Sequence, residues 1–140
     1  MVCSKLSAFN KHNRANPMQK VLLVLVFLAA ALMMYTGVLW VIDPDAAAEA
    51  LKARLLSGTG LATQIGDSAG FFLGTGGLLL WGLLSRNPTL ITAGGLIVGI
   101  VAPARVAAAM LHGASWTYDA IAVEIVVCVV AIAAARGMRR

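Results

Sequence analysis

The sequence predicts an all-α protein: an antiparallel bundle of four transmembrane helices, with a short amphipathic helix between the first two spans. Three observations lead there. Of 140 residues, 60% are hydrophobic and only 12% charged, with a mean hydropathy of +0.86, whereas soluble domains are nearer half apolar and a quarter charged. The apolar residues fall into four runs, each near the twenty or so residues that cross a hydrocarbon core of about 30 Å. Polar residues and turn signals are gathered in the short stretches between the runs. A chain of this length holds one membrane domain over residues 20–136, a basic tail at 1–19 and a short tail at 137–140, with no room for a separate soluble domain.

The first span is "VLLVLVFLAAALMMYTGVLWVI", residues 21–42. Its apolar run continues well beyond the length of a cleavable signal peptide, so it stays in the membrane. The following "DPDAAAEALKARLLSGTG" is too polar to cross but has the grammar of a helix start over about 44–56. Asp43 is an N-cap, Pro44 fits the first helical position, and Gly58 or Gly60 ends the segment. Asp45, Glu49 and Lys52 share one face and Ala47, Ala48, Leu51 and Leu55 the other, the pattern of a helix lying at the membrane surface. The remaining spans run over about 63–84, 88–111 and 117–135. Each is a helix because lipid offers no hydrogen-bond partner to the backbone.

Orientation follows from the cations. Lys5, Lys11, Arg14, Lys20, Arg86, Arg136, Arg139 and Arg140 collect on one side, against Lys52 and Arg54 on the other. Both termini are therefore expected in the cytoplasm, in a bacterial inner membrane. Trp40 and Trp116 are expected at the outer interface and Trp81 at the inner one, where the indole N–H stays wet.

Small residues mark the second and third spans. Gly66, Gly70, Gly74 and Gly77 form one stripe, and Gly95 with Gly99 another. This spacing lets helix backbones approach closely, within the bundle or against another subunit.

The sharpest chemical feature is Arg105, set among apolar neighbours in "GIVAPARVAAAMLHG". At about 1.5 Å per residue it lies roughly 10 Å below the outer surface, Glu124 at about the same depth and Asp67 at about 6 Å. Tyr35 reaches a similar level. An unpaired charge there costs on the order of 2.5 kcal/mol or more, so Arg105 is expected to turn inward and pair with Glu124, with Asp67 as second partner and Tyr35 as a hydroxyl donor. Pro103 frees the Gly99 carbonyl nearby. Two uses of the cluster stay open: a buried clamp fixing helix register, or a ligand or proton site.

Several chemistries find no support. The cations sit at chain ends and turns rather than on one folded face, which argues against nucleic acid as a partner. Cys3 and Cys128 lie too far apart in depth to pair, and Cys3 reads as a free cytosolic thiol unless acylated. His12 and His112 fall on opposite sides, which removes a bis-histidine haem, and no metal-binding, cofactor-binding or nucleophile–base motif is present.

The segments "GDSAGFFLGTGGLLLWGLLSR", "GLIVGIVAPARVAAAMLHG" and "AIAVEIVVCVVAIAAAR" resemble a family of small uncharacterised bacterial four-helix membrane proteins, distantly similar to DoxX-like proteins. In that family an acid opens the second span, an arginine closes the third and a glutamate lies in the fourth, which implies Asp67, Arg105 and Glu124 as the matching charged set here. The resemblance implies the fold and carries no established activity. The expectation is thus a non-catalytic accessory or interaction subunit, in contact with lipid and with other membrane subunits or itself. The alternative is a binding protein or small enzyme for a lipophilic molecule, quinone, sterol-like or fatty, at the Asp67, Arg105 and Glu124 site. The structure separates these through what the bundle contains: a packed, paired core, or a cavity beside an unsaturated Arg105.

Overall fold

A computed structural model describes residues 17–139; the tail up to Asn16, including Cys3, and Arg140 lie outside it. Five helices follow one another: α1 (Pro17–Ile42), α2 (Pro44–Ala50), α3 (Thr59–Leu84), α4 (Pro88–His112) and α5 (Tyr118–Met138). Among the described residues there is no strand. Four of the helices are long and apolar enough to cross a bilayer, and the chain is a multi-pass membrane protein of the helical-bundle class.

The ends of these helices follow from local chemistry. Asp43 accepts the Ala46 N–H at 3.1 Å and Pro44 follows at the first helical position, which starts α2 as its sequence foretells. The same helix stops six residues short of the expected 56. Lys52 takes a left-handed φ of 53°, its N–H reaching the Glu49 carbonyl and the Ala53 N–H that of Ala48. This is a Schellman stop with lysine where glycine is usual. Arg86, φ 51°, closes α3 in the same way, with the Asn87 N–H on the Gly82 carbonyl. Asn87 then caps α4 by accepting from the Thr89 and Leu90 amides. One residue thus ends one span and starts the next.

The long helices pack as a ring in the order α1, α3, α4, α5. At the end that carries the chain termini all four meet in one core: Val26 and Ala30 of α1, Leu79 of α3, Ile91 of α4, and Ala131, Ala134 and Ala135 of α5. Close approach here needs glycine. A methyl group placed on Gly82 would lie 2.8 Å from Ile91, and one on Gly94 2.9 Å from Leu79. At the opposite end, which carries α2, the second core joins Trp40, Ala47, Ala48 and Ala69, from α1, α2 and α3 alone. The buried packing at that end is thus grouped in two arms, α1–α2–α3 and α4–α5, the second held by its own seam.

Trp40 corrects an expectation. It is 1% exposed, buried under the α2 alanines, and its Nε1 has no hydrogen-bond partner. The small side chains of "DAAA" let α2 lie flat on it, a coverage that the interfacial reading of Trp40 did not anticipate.

Candidate functional site

Arg105 belongs to the inward stripe of α4. Ile91, Gly94, Gly95, Val98 and Ala102 are the buried residues of that helix, and Arg105 follows Ala102 by three positions. On α5, Glu124 is seven residues before Ala131 and shares its buried side. The two inward faces bring the charges together: Arg105 Nε donates to Glu124 Oε1 at 2.6 Å. Nearby backbone packing is close enough to fix this register. A methyl on Gly95 would sit 2.5 Å from the Ala131 Cβ, and one on Gly99 2.6 Å from Cys128 Sγ. Gly95, Gly99 and Cys128 thus form the α4–α5 seam directly below the charges.

The pair is unevenly covered. The Glu124 side chain is 11% exposed and that of Arg105 40%. Glu124 Oε2 is buried without a hydrogen-bond partner. A buried oxygen left unpaired costs about 1–3 kcal/mol, so this is a polar site with spare capacity rather than a saturated clamp.

Asp67 and Tyr35 do not join it. Tyr35 is 64% exposed and lies on the side of α1 opposite Val26, Ala30 and Gly37. Asp67 is exposed on the side of α3 opposite the buried Ala69 and Gly76, and makes no ion pair among the described residues. Depth alone suggested convergence of four residues; the helix faces bring together two. The α3 glycines go with Asp67. An added Cβ on Gly66, Gly70, Gly74 or Gly77 would meet no atom within 4 Å, so this stripe looks away from its own bundle.

Two further features escaped the sequence. Lys52 Nζ meets Asp119 Oδ2 at 2.7 Å, an exposed link from the end of α2 to the start of α5. Nothing in sixty-seven residues of separation signals that contact. An apolar crevice of about 140 Å³ also lies along the α1–α5 seam beside the shared core, lined by Leu25, Val26 and Ala29 of α1, Leu79 of α3, and Val126, Val127, Val130 and Ala131 of α5. No group of three metal-ligating side chains occurs among the described residues.

Compared with known proteins, the chain matches no family model, no curated protein and no solved structure.

Proposed function

We propose that the protein is a non-catalytic accessory subunit of a membrane complex, joined to its partner through the outward face of α3. The observation that carries this reading is the stripe Gly66, Gly70, Gly74 and Gly77, where an added Cβ would meet no packed atom within 4 Å, whereas the unsaturated Arg105 beside Glu124 favours a lipophile site on the same subunit. Glycine in a helix costs about 1 kcal/mol relative to alanine. A face that touches only lipid gains nothing in return, whereas a neighbouring helix gains close backbone contact. Asp67 on the same face strengthens the argument, because a carboxylate in contact with lipid is expensive and a partner's polar or basic group relieves it.

The orientation with both termini in the cytoplasm, and the inner membrane as location, belong to the same proposal, supported by the distribution of lysine and arginine. The likeness to DoxX-like proteins has the order Asp67, Arg105, Glu124 as its support.

The test is copurification from native membranes in mild detergent, comparing wild type with Gly70→Leu/Gly74→Leu. Loss of a stoichiometric membrane partner, with the variant's own melting temperature not lowered, is the expected result. An identical set of copurifying proteins overturns the reading, and a self-associated wild type that the variant renders monomeric makes the partner a second copy.

A further inference from the structure

We infer that the cleft between the two arms, independently of the α3 face, is a binding site for a neutral lipophile that presents a carbonyl-type oxygen to Arg105. The first observation is a contradiction in exposure. Arg105 continues the buried stripe of α4, so it faces the bundle interior, yet its side chain is 40% exposed. That accessibility points to an interior that is not closed over the guanidinium at its level. The cores explain the opening. All four helices share the core at the termini end, but at the α2 end the buried cluster contains nothing from α4 or α5. There the arms are linked at the rim by Lys52 and Asp119.

The chemistry of the opening is specific. Glu124 engages Nε of the guanidinium, which carries five N–H groups in all. The donors on Nη1 and Nη2 have no protein partner among the described residues and can serve only an acceptor. The neighbouring carboxylate cancels the cation's charge, so an anionic headgroup would meet a net-neutral pair and the repulsion of Glu124. A neutral acceptor meets neither penalty and gains charge-assisted hydrogen bonds. The apolar part of such a ligand has a place. The crevice adjoins the shared core rather than the opening itself, and Val127 in its lining lies one helical turn beyond Glu124 on α5, so a chain held at Arg105 reaches it by running along that helix. A dry apolar cavity of about 150 Å³ admits a benzene ring, so 140 Å³ suits a ring or the first carbons of a chain. The ligand class is therefore a neutral ester, amide or ketone on a hydrocarbon body. Its source is either a free lipophile or the acyl ester of a membrane phospholipid.

The test uses the full chain in nanodiscs of ether-linked phosphatidylcholine, which lack carbonyl groups, with methyl palmitate bearing a diazirine and an alkyne as probe. Expected is saturable photolabelling of peptides spanning 25–29 and 123–130, displaced by unlabelled methyl palmitate. The doubly neutral Arg105→Gln/Glu124→Gln variant, which keeps two hydrogen-bonding side chains in place, should lower labelling about tenfold, the equivalent of one charge-assisted hydrogen bond. Ala29→Phe, which fills the crevice without touching the charges, should lower it as well. Unsaturable labelling over all four long helices overturns the proposal, as does unchanged labelling in a double variant whose melting is native-like. Stronger labelling by the corresponding free acid overturns the neutral-acceptor assignment. Repeating the experiment in ester-linked phosphatidylcholine distinguishes the sources. A drop in signal identifies bulk phospholipid as occupant and a constant signal a free lipophile, and both support the class.

Discussion

Gly95 and Gly70 occupy similar sequence contexts and should respond to the same substitution in different ways. At Gly95 a methyl group meets the Ala131 Cβ at 2.5 Å, and Gly95→Ala should cost about 1–3 kcal/mol as overpacking forces α4 and α5 apart. At Gly70 the methyl meets nothing, and Gly70→Ala should raise stability by up to about 1 kcal/mol. Thermal unfolding of both variants in one detergent reads the difference directly. The charged pair permits a second residue-level test. Removing one partner of a buried pair costs about 3–5 kcal/mol, and the partial exposure of Arg105 reduces this to roughly 1–3 kcal/mol. Arg105→Leu and Glu124→Leu should each destabilise, and the double variant should recover part of the loss through a coupling of about 0.5–3 kcal/mol. Strictly additive losses would show that the two side chains act independently. Sequence alone expected Asp67 beside Arg105 as a second partner after Glu124: both are acids on faces of small residues, within a few ångströms of one depth. Rotation about the helix axis separates them, and helices apolar on every side carry little information about rotation.

At the scale of elements, the spans were legible because lipid leaves the chain one choice of secondary structure and the length of each apolar run sets its extent. The end of α2 was not, because glycine was the natural stop signal and the chain stops instead at Lys52, in a left-handed conformation that glycine adopts more easily. The start of that helix was written plainly in Asp43 and Pro44. Asp43→Ala should remove about 1 kcal/mol from α2 and accelerate amide hydrogen exchange over residues 46–50, leaving α3 to α5 unaffected. Unchanged exchange over those residues would mean that the packing of Ala47 and Ala48 on Trp40 holds α2 without its cap. The two left-handed stops differ in a useful way. Arg86 makes no ion pair among the described residues, so Arg86→Gly should relieve strain and raise stability by up to about 1 kcal/mol. Lys52 is engaged with Asp119, and glycine there would exchange backbone ease for a lost rim contact.

For the whole molecule, four spans would put Pro17 and Arg139 on one side, and the proposal that this side is cytoplasmic rests on the lysines and arginines. Ser85, in the turn after α3, and Ser115, in the turn before α5, are both exposed and lie at opposite ends of the bundle. In a background free of Cys3 and Cys128, a membrane-impermeant maleimide should label Ser115→Cys in intact spheroplasts and Ser85→Cys only after lysis. The reverse pattern would invert the orientation. The connection at Ser85, Arg86 and Asn87 also bears on how the protein enters the bilayer. Of the four spans α3 has the lowest mean hydropathy, 1.2, and it carries Asp67 and an uncovered glycine face, whereas α4 reaches 1.8. Only three residues separate the two, so the weaker helix has almost no slack in which to leave the translocation channel by itself. Entry of the two together, as a hairpin, is the expected route. Lengthening that hinge should therefore show first as chains stranded during biogenesis, before any loss of stability in those that have folded.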